Sequence, residues 1–188
     1  MSSLDAPIAT KLAPYRDAFR SATFPAVVVP AAIRDEGAEQ IRAGLAATGL
    51  QPFQLAHRGR YAYRDDFVDG ALFARLRAVA EHIAEAALVI GEARITRLVQ
   101  GDYVLSRDDR APEGRSLELT LDLSLEGELG GGEVCYTHRG QLIFVVPQAP
   151  GNLSIVARGP SIRRYERYLG HLAGEREIVR LRMGFRFG

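Results

Sequence analysis

The chain predicts an α+β domain in which N-terminal helices pack on the larger sheet of a double-stranded β-helix, a distorted, cupin-like jelly-roll. Three observations carry this expectation. Apolar residues recur at helical spacing through residues 33–47 and 69–88. From residue 93 onward that spacing gives way to short strand-like runs punctuated by Gly and Pro. One of those runs, residues 116–125, alternates strictly between Leu and polar residues. Helices with a single apolar stripe, followed by many strands, have a sheet to bury that stripe against.

Taken in order, residues 1–7 are expected to fray, and a first helix spans residues 8–20 with Pro14 disturbing it. Phe24-Pro25 leads into a valine-rich strand at Ala26-Val27-Val28-Val29. Residues 33–47 place Ala38, Ile41 and Leu45 on one helical face. In residues 69–88 the positions Leu72, Phe73, Leu76, Val79, Ala80, Ile83 and Ala87 follow the i, i+3, i+4, i+7 rule. Strands are then expected at 95–105, 117–125, 133–137, 142–146, 153–157, 162–169 and 177–187. No repeat or linker divides the chain. One domain is expected over residues 1–188, with a helical and strand lead-in to residue 92 and the β-helix core from 93 to 188.

With 188 residues, 47% of them hydrophobic, the chain can bury a substantial core without staples. A formal charge of +1 predicts no general attraction to nucleic acid or to an anionic membrane. The single Cys135 forms no internal disulfide, no apolar run approaches the ~20 residues of a membrane span, and the N-terminus lacks the pattern of a signal peptide. These features predict a soluble, cytoplasmic protein; its oligomeric state is not readable from them.

The residues that carry chemistry begin with Gly101-Asp102-Tyr103-Val104-Leu105-Ser106-Arg107-Asp108-Asp109. Further on come Gly131-Gly132-Glu133-Val134, then Val146-Pro147 with Pro150-Gly151-Asn152-Leu153, and finally Gly174-Glu175-Arg176 before Ile178, Leu181 and Phe185. In this order and register the four pieces resemble the prolyl 4-hydroxylase-like branch of the 2-oxoglutarate/Fe(II)-dependent oxygenases. That resemblance covers roughly residues 24–187. It implies an iron-binding His-x-Asp on the first piece, a distal His ligand, and an Arg on the last piece that binds the distal carboxylate of 2-oxoglutarate. Here the triad positions read Arg107, Asp109 and Glu166. A guanidinium has five donors and no lone pair to give, so Arg107 cannot be a metal ligand. The same resemblance puts Arg176 and Tyr103 at the cosubstrate.

Three readings stay open at this level. In the first, Arg107 replaces the metal electrostatically, flanked by Asp109 and Glu166, and the barrel does metal-independent chemistry on a small or carrier-bound molecule. Asp109, Glu166, Glu118 and Asp122 are then the candidate acids and bases, because neighbouring buried carboxylates separate in pKa. In the second, an Fe(II)/2-oxoglutarate hydroxylase has rebuilt its metal site with Asp109 and His138, the best placed of His57, His82, His138 and His171. In the third, a catalytically inactive pseudo-oxygenase binds a ligand or partner. No metal or cofactor is expected under the first and third.

The polar positions of residues 116–125 belong to the same question. If the leucines face the helices, Glu118 and Asp122 line the barrel, where they would repel a dicarboxylate. Arg107 is expected to pair with Asp109 or Glu166, Arg176 to point into the same cavity from the closing strand, and Arg158, Arg163, Arg164 and Tyr165 to form the rim.

Overall fold

The computed structural model describes residues 6–33, 35–46, 49–109, 112–125, 127 and 129–188. Three helices, α1 (Ala6–Ser21), α2 (Asp35–Ala46) and α3 (Gly70–Ala84), precede or interrupt the early strands. The strands are β1 (Ala26–Val29), β2 (Gln51–Leu55), β3 (Gly59–Arg64), β4 (Leu88–Leu98), β5 (Tyr103–Val104) and β6 (Ser116–Asp122). They continue as β7 (Val134–His138), β8 (Gln141–Val146), β9 (Leu153–Arg158), β10 (Ile162–Glu166) and β11 (Ile178–Phe187). All of the described pairings are antiparallel.

The hydrogen-bonded path runs β1-β9-β6-β11-β4-β3-β5-β10-β7-β8, with β2 added to β3. The two ends of the path meet through side chains, Phe24 beside β1 lying 6.3 Å from Phe144 of β8. The sheet therefore folds over on itself as the double-stranded β-helix the sequence predicts, and β1 and β3 take part in it although both precede residue 93.

The alternation of β6 sets the layers. Leu117, Leu119 and Leu121 face outward into one large core with Leu12 and Phe19 of α1, Ala38 of α2, and Phe73, Leu76, Ala80 and Ile83 of α3. Val179, Leu181, Met183 and Phe185 of β11 join them, as do Leu153 and Ile155 of β9. Since strand neighbours point to opposite faces, Glu118, Thr120, Asp122, Arg158, Arg180 and Arg182 are turned into the barrel. Leu125, expected to continue the leucine face, lies beyond the strand and is exposed.

Several boundaries differ from the expected ones for local reasons. α1 runs through Pro14, whose ring sits on the exposed side of the helix. α3 is capped by Asp69, whose carboxylate accepts from Leu72 N at 2.9 Å, and it stops at Glu85, which adopts φ 49. Ala87 thus falls outside the helix and is exposed. The run 95–105 is broken by a turn in which Gly101 has φ +87 and the Asp102 carboxylate accepts from Val99 N at 3.0 Å. The side chain of Leu45, residue 47 and residues 1–5 of the expected frayed end lie outside the described residues.

Candidate functional site

The barrel interior contains a band of charge. Arg158 at the end of β9 is 4% exposed and grips Asp109, its Nη1 donating to Oδ1 at 3.0 Å and its Nη2 to Oδ2. The same Nη1 donates to Glu118 Oε2 at 2.7 Å. Arg164 of β10 donates its backbone N–H to Asp109 Oδ2 at 2.9 Å and its Nη2 to Glu166 Oε1 at 2.6 Å. The other oxygen of Glu166 accepts from Arg180 Nη1 at 2.5 Å. Arg180 Nε lies 3.9 Å from Asp122 Oδ2, and Arg182 Nη1 lies 3.7 Å from Glu118 Oε2. Four guanidiniums face four carboxylates, so the interior is neutral overall.

Such a cluster survives burial only because nearly every charge is met. Removing a carboxylate or guanidinium from water costs several kcal/mol, and the loss is recovered only where the geometry and the remaining hydrogen bonds are good. Bidentate Arg–carboxylate contacts provide that geometry. Asp122 is further fixed by Ser124 N at 2.9 Å and Ala149 N at 3.2 Å, and Glu118 by the Tyr136 hydroxyl at 2.6 Å.

The protonation behaviour follows. Burial by itself pushes the Glu118 carboxyl up, but Arg158, Arg164 and Arg182 outweigh it and hold the group at about 2. Glu166 is likewise raised by burial and more strongly lowered by Arg164 and Arg180, ending below the usual carboxylate range. Burial and the adjacent Glu118 raise the Tyr136 phenol.

Asp109, Glu118, Asp122 and Glu166 are therefore brought together, as the sequence anticipates. The cation beside Asp109 is a different one. Arg107 sits in the turn after β5, exposed, and makes no ion pair with Asp109 or Glu166 among the described residues. Its neighbour Asp108 points inward instead, accepting from the Tyr61 hydroxyl and lying 3.1 Å from Arg58 Nε.

Arg176 is exposed as well. Its Nε donates to Ala173 O at 3.0 Å and its Nη2 to Leu172 O, so it closes the short turn His171–Ala173, and the inward guanidiniums of the closing strand are Arg180 and Arg182. Tyr103 adjoins Val104, which lines the interior, and as a strand neighbour it projects to the opposite face, where its hydroxyl donates to Ala56 O at 3.4 Å. Arg158 and Arg164 are buried, whereas Arg163 is the exposed member of the expected rim. Among the described residues, His138 joins no group of three or more His, Cys, Asp or Glu able to hold a metal ion.

Toward the mouth, two connected hollows share Tyr61, Arg94, Asp108 and Arg182. The inner one, about 20 Å³, reaches Asp109, Arg164, Glu166 and the buried Thr96. The outer one is about 110 Å³ and is walled by Phe53, Tyr63 and Arg58. Sequence reading missed this wall. Its signal lay in the closely spaced Arg58, Tyr61 and Tyr63, which the β2–β3 hairpin joins to Phe53 as one surface.

Comparison with solved structures decides what the barrel resembles. A 2-oxoglutarate/Fe(II) oxygenase-family oxidoreductase from Burkholderia pseudomallei superposes with a TM-score of 0.69 at 16% identity, covering 93% of this chain and 90% of that one. The fold is that of the 2-oxoglutarate/Fe(II) oxygenases. Prolyl hydroxylases are among its likenesses: a Pseudomonas putida prolyl-4-hydroxylase matches with a TM-score of 0.65 at 17% identity over 93% of this chain and 98% of that one. A Trichoplax adhaerens prolyl hydroxylase, in complex with a hypoxia inducible factor peptide fragment, matches with a TM-score of 0.68 at 10% identity over 94% and 92%. No family model matches the chain, and no curated protein does. No described helix is long and apolar enough to cross a membrane.

Proposed function

We propose that this chain is a pseudo-oxygenase: a barrel of the 2-oxoglutarate/Fe(II) oxygenase fold in which an arginine–carboxylate network stands where the resemblance would put iron, and which works by binding a small or carrier-bound molecule. The observation that carries this reading is the occupancy of the carboxylates at two triad positions. Both oxygens of Asp109 are engaged by Arg158 and by the backbone of Arg164, and both oxygens of Glu166 by Arg164 and Arg180. The third position, Arg107, faces solvent. This donor set does not fit Fe(II), which would have to displace four hydrogen bonds from three guanidiniums and sit among like charges.

The network also weighs against the acid–base enzyme that the sequence first suggests. A general acid or base near neutrality needs a pKa near the working pH and an edge open to substrate. Glu118 is held at about 2, and Glu166 is also lowered. The inner hollow of about 20 Å³ has room for one water and not for a substrate. Asp109, Glu118, Asp122 and Glu166 are thus assigned to holding the barrel, with ligand capture assigned to its mouth. The composition suits a cytoplasmic setting for that role.

Oxygen-uptake measurements on purified protein with Fe(II) and 2-oxoglutarate test the reading. The expected result is no uptake above that of a heat-denatured control. Uptake that depends on both additions and disappears in Asp109→Asn would overturn it.

A further inference from the structure

The outer hollow has a composition that neither the fold nor the ion network requires. One wall is aromatic: the Phe53 and Tyr61 rings lie 4.8 Å apart, and Tyr63 sits 6.4 Å from Phe53 and 6.0 Å from Tyr61. Guanidiniums lie against that wall, Arg94 at 4.8 Å from the Tyr63 centroid and Arg58 at 5.9 Å from that of Phe53. Arg182 completes the lining from β11.

The acids paired with two of these arginines lie on the solvent side. Asp65, held by Arg94 Nε at 2.5 Å, is 53% exposed, and Glu92, held by Arg182 Nη2 at 3.1 Å, is 56% exposed. The Arg94 and Arg182 side chains themselves are only 23% and 11% exposed. Arg94 thus spends one edge on a wet carboxylate that contributes little, since exposed pairs are worth about 0–1 kcal/mol, while Arg182 gives Glu92 a single bond and keeps Nη1 3.7 Å from Glu118. Arg94 uses Nε and Nη2 for Asp65, and Nη1 has no protein acceptor among the described residues.

We propose that this mouth hollow binds an aromatic carboxylate, its ring against Phe53 and Tyr63 and its carboxylate on Arg94 and Arg182. At about 110 Å³ and open to solvent, the hollow is smaller than the ~150 Å³ cavity that encloses benzene, so it takes the carboxylate and one edge of the ring while the rest of the ligand stays in water, and it lies well below the ~300 Å³ at which drug-sized ligand sites begin. The ring edge gains from offset stacking, and the planar guanidinium fork matches a carboxylate. The acids of the lining, Asp108 and Glu92, exclude a ligand bearing a second negative charge. Asp108 is already committed to Tyr61 and Arg58 and so stays in place.

This inference rests on the binding reading above, but its test does not involve iron or oxygen. Benzoate, cyclohexanecarboxylate and benzyl alcohol are titrated into the metal-free protein and followed by amide chemical shifts. Benzoate should bind saturably with shifts confined to β3, β4 and the mouth end of β11, cyclohexanecarboxylate more weakly, and benzyl alcohol not at all. Arg94→Gln should weaken benzoate at least about tenfold, the value of a charged hydrogen bond. Tyr63→Leu should weaken benzoate more than cyclohexanecarboxylate, provided both variants keep the parent melting temperature within a few degrees. No saturable benzoate shift in the parent protein, or equal affinity in Arg94→Gln, would overturn the proposal. Binding of benzyl alcohol as tight as benzoate would overturn it too, by making the hollow merely apolar. Iron-dependent oxygen uptake would sink the pseudo-oxygenase reading and leave these titrations to stand or fall separately.

Discussion

Arg158 and Asp109 face each other inside the barrel as a two-pronged pair, 49 residues apart in sequence and both more than nine-tenths buried. The resemblance makes Asp109 an iron ligand; the fold gives both of its oxygens to an arginine at the far end of β9. The first two predictions below follow from treating this pair as part of one neutral network.

Breaking the pair from one side leaves a buried charge without a partner. Arg158→Met is expected to cost about 3–5 kcal/mol, a fall in melting temperature of roughly 10 °C or more. Asp109→Leu should cost a similar amount. The double variant Arg158→Met/Asp109→Leu should be more stable than either single change, because apolar replacement of a whole buried pair is often close to neutral. Denaturant melts of the four proteins give the coupling directly.

Acid should act on the network through Glu118. Its folded-state pKa, about 2, lies below the unfolded value near 4.5, so the folded state favours the ionised form. Its contribution, of the order of 3 kcal/mol, is fully present above about pH 4.5 and is lost as the pH falls toward 2. Urea midpoints should be nearly flat from pH 7 to 5 as far as this group is concerned and should fall below that. In Glu118→Gln the midpoint at pH 7 should be lower and the slope between pH 4.5 and 2 shallower.

Glycine is required on the loop that leads into β7. Gly131 has φ +122, and a Cβ there would lie 2.0 Å from Tyr168 O; at Gly132, φ is +77 and a Cβ would meet Ile178 Cδ1 at 2.2 Å. Gly131→Ala should therefore lower stability by more than about 2 kcal/mol, the backbone oxygen having nowhere to move. Gly132→Ala should cost less, since the end of a flexible side chain can yield. Thermal melts rank the two.

Arg107 is expected to matter little. Because it is exposed in a turn, Arg107→His should change stability by no more than about 0.5 kcal/mol and should not create iron affinity by itself. Melts and a metal titration of that single variant check both statements.

The fold was legible because its layers follow from period alone. The leucines of β6 alternate, the apolar stripe of α3 recurs every three or four residues, and each pattern has one way to be buried. Two of the interior acids were legible for the same reason, since Glu118 and Asp122 had to oppose the leucines, whereas Asp109 and Glu166 were legible only through the resemblance to the oxygenase triad. Their partners were not, because an arginine in sequence carries no mark of whether it faces in or out. Arg107 lies in a turn, where no period fixes the direction of a side chain. Arg180 and Arg182 sit among alternating apolar residues, as Arg176 does not, and that alternation was the overlooked signal. The mouth hollow needed Arg94 of β4 and Arg182 of β11 brought against the β2–β3 hairpin, a non-local fact that local sequence does not encode.

The central claim is that Asp109 and Glu166 belong to arginines and not to a metal. An anaerobic calorimetric titration of the purified, chelator-treated protein with Fe(II) tests it most directly. No saturable binding is expected in the unmodified protein at micromolar to low-millimolar iron. One equivalent of tightly bound iron, lost in Asp109→Asn, would contradict it.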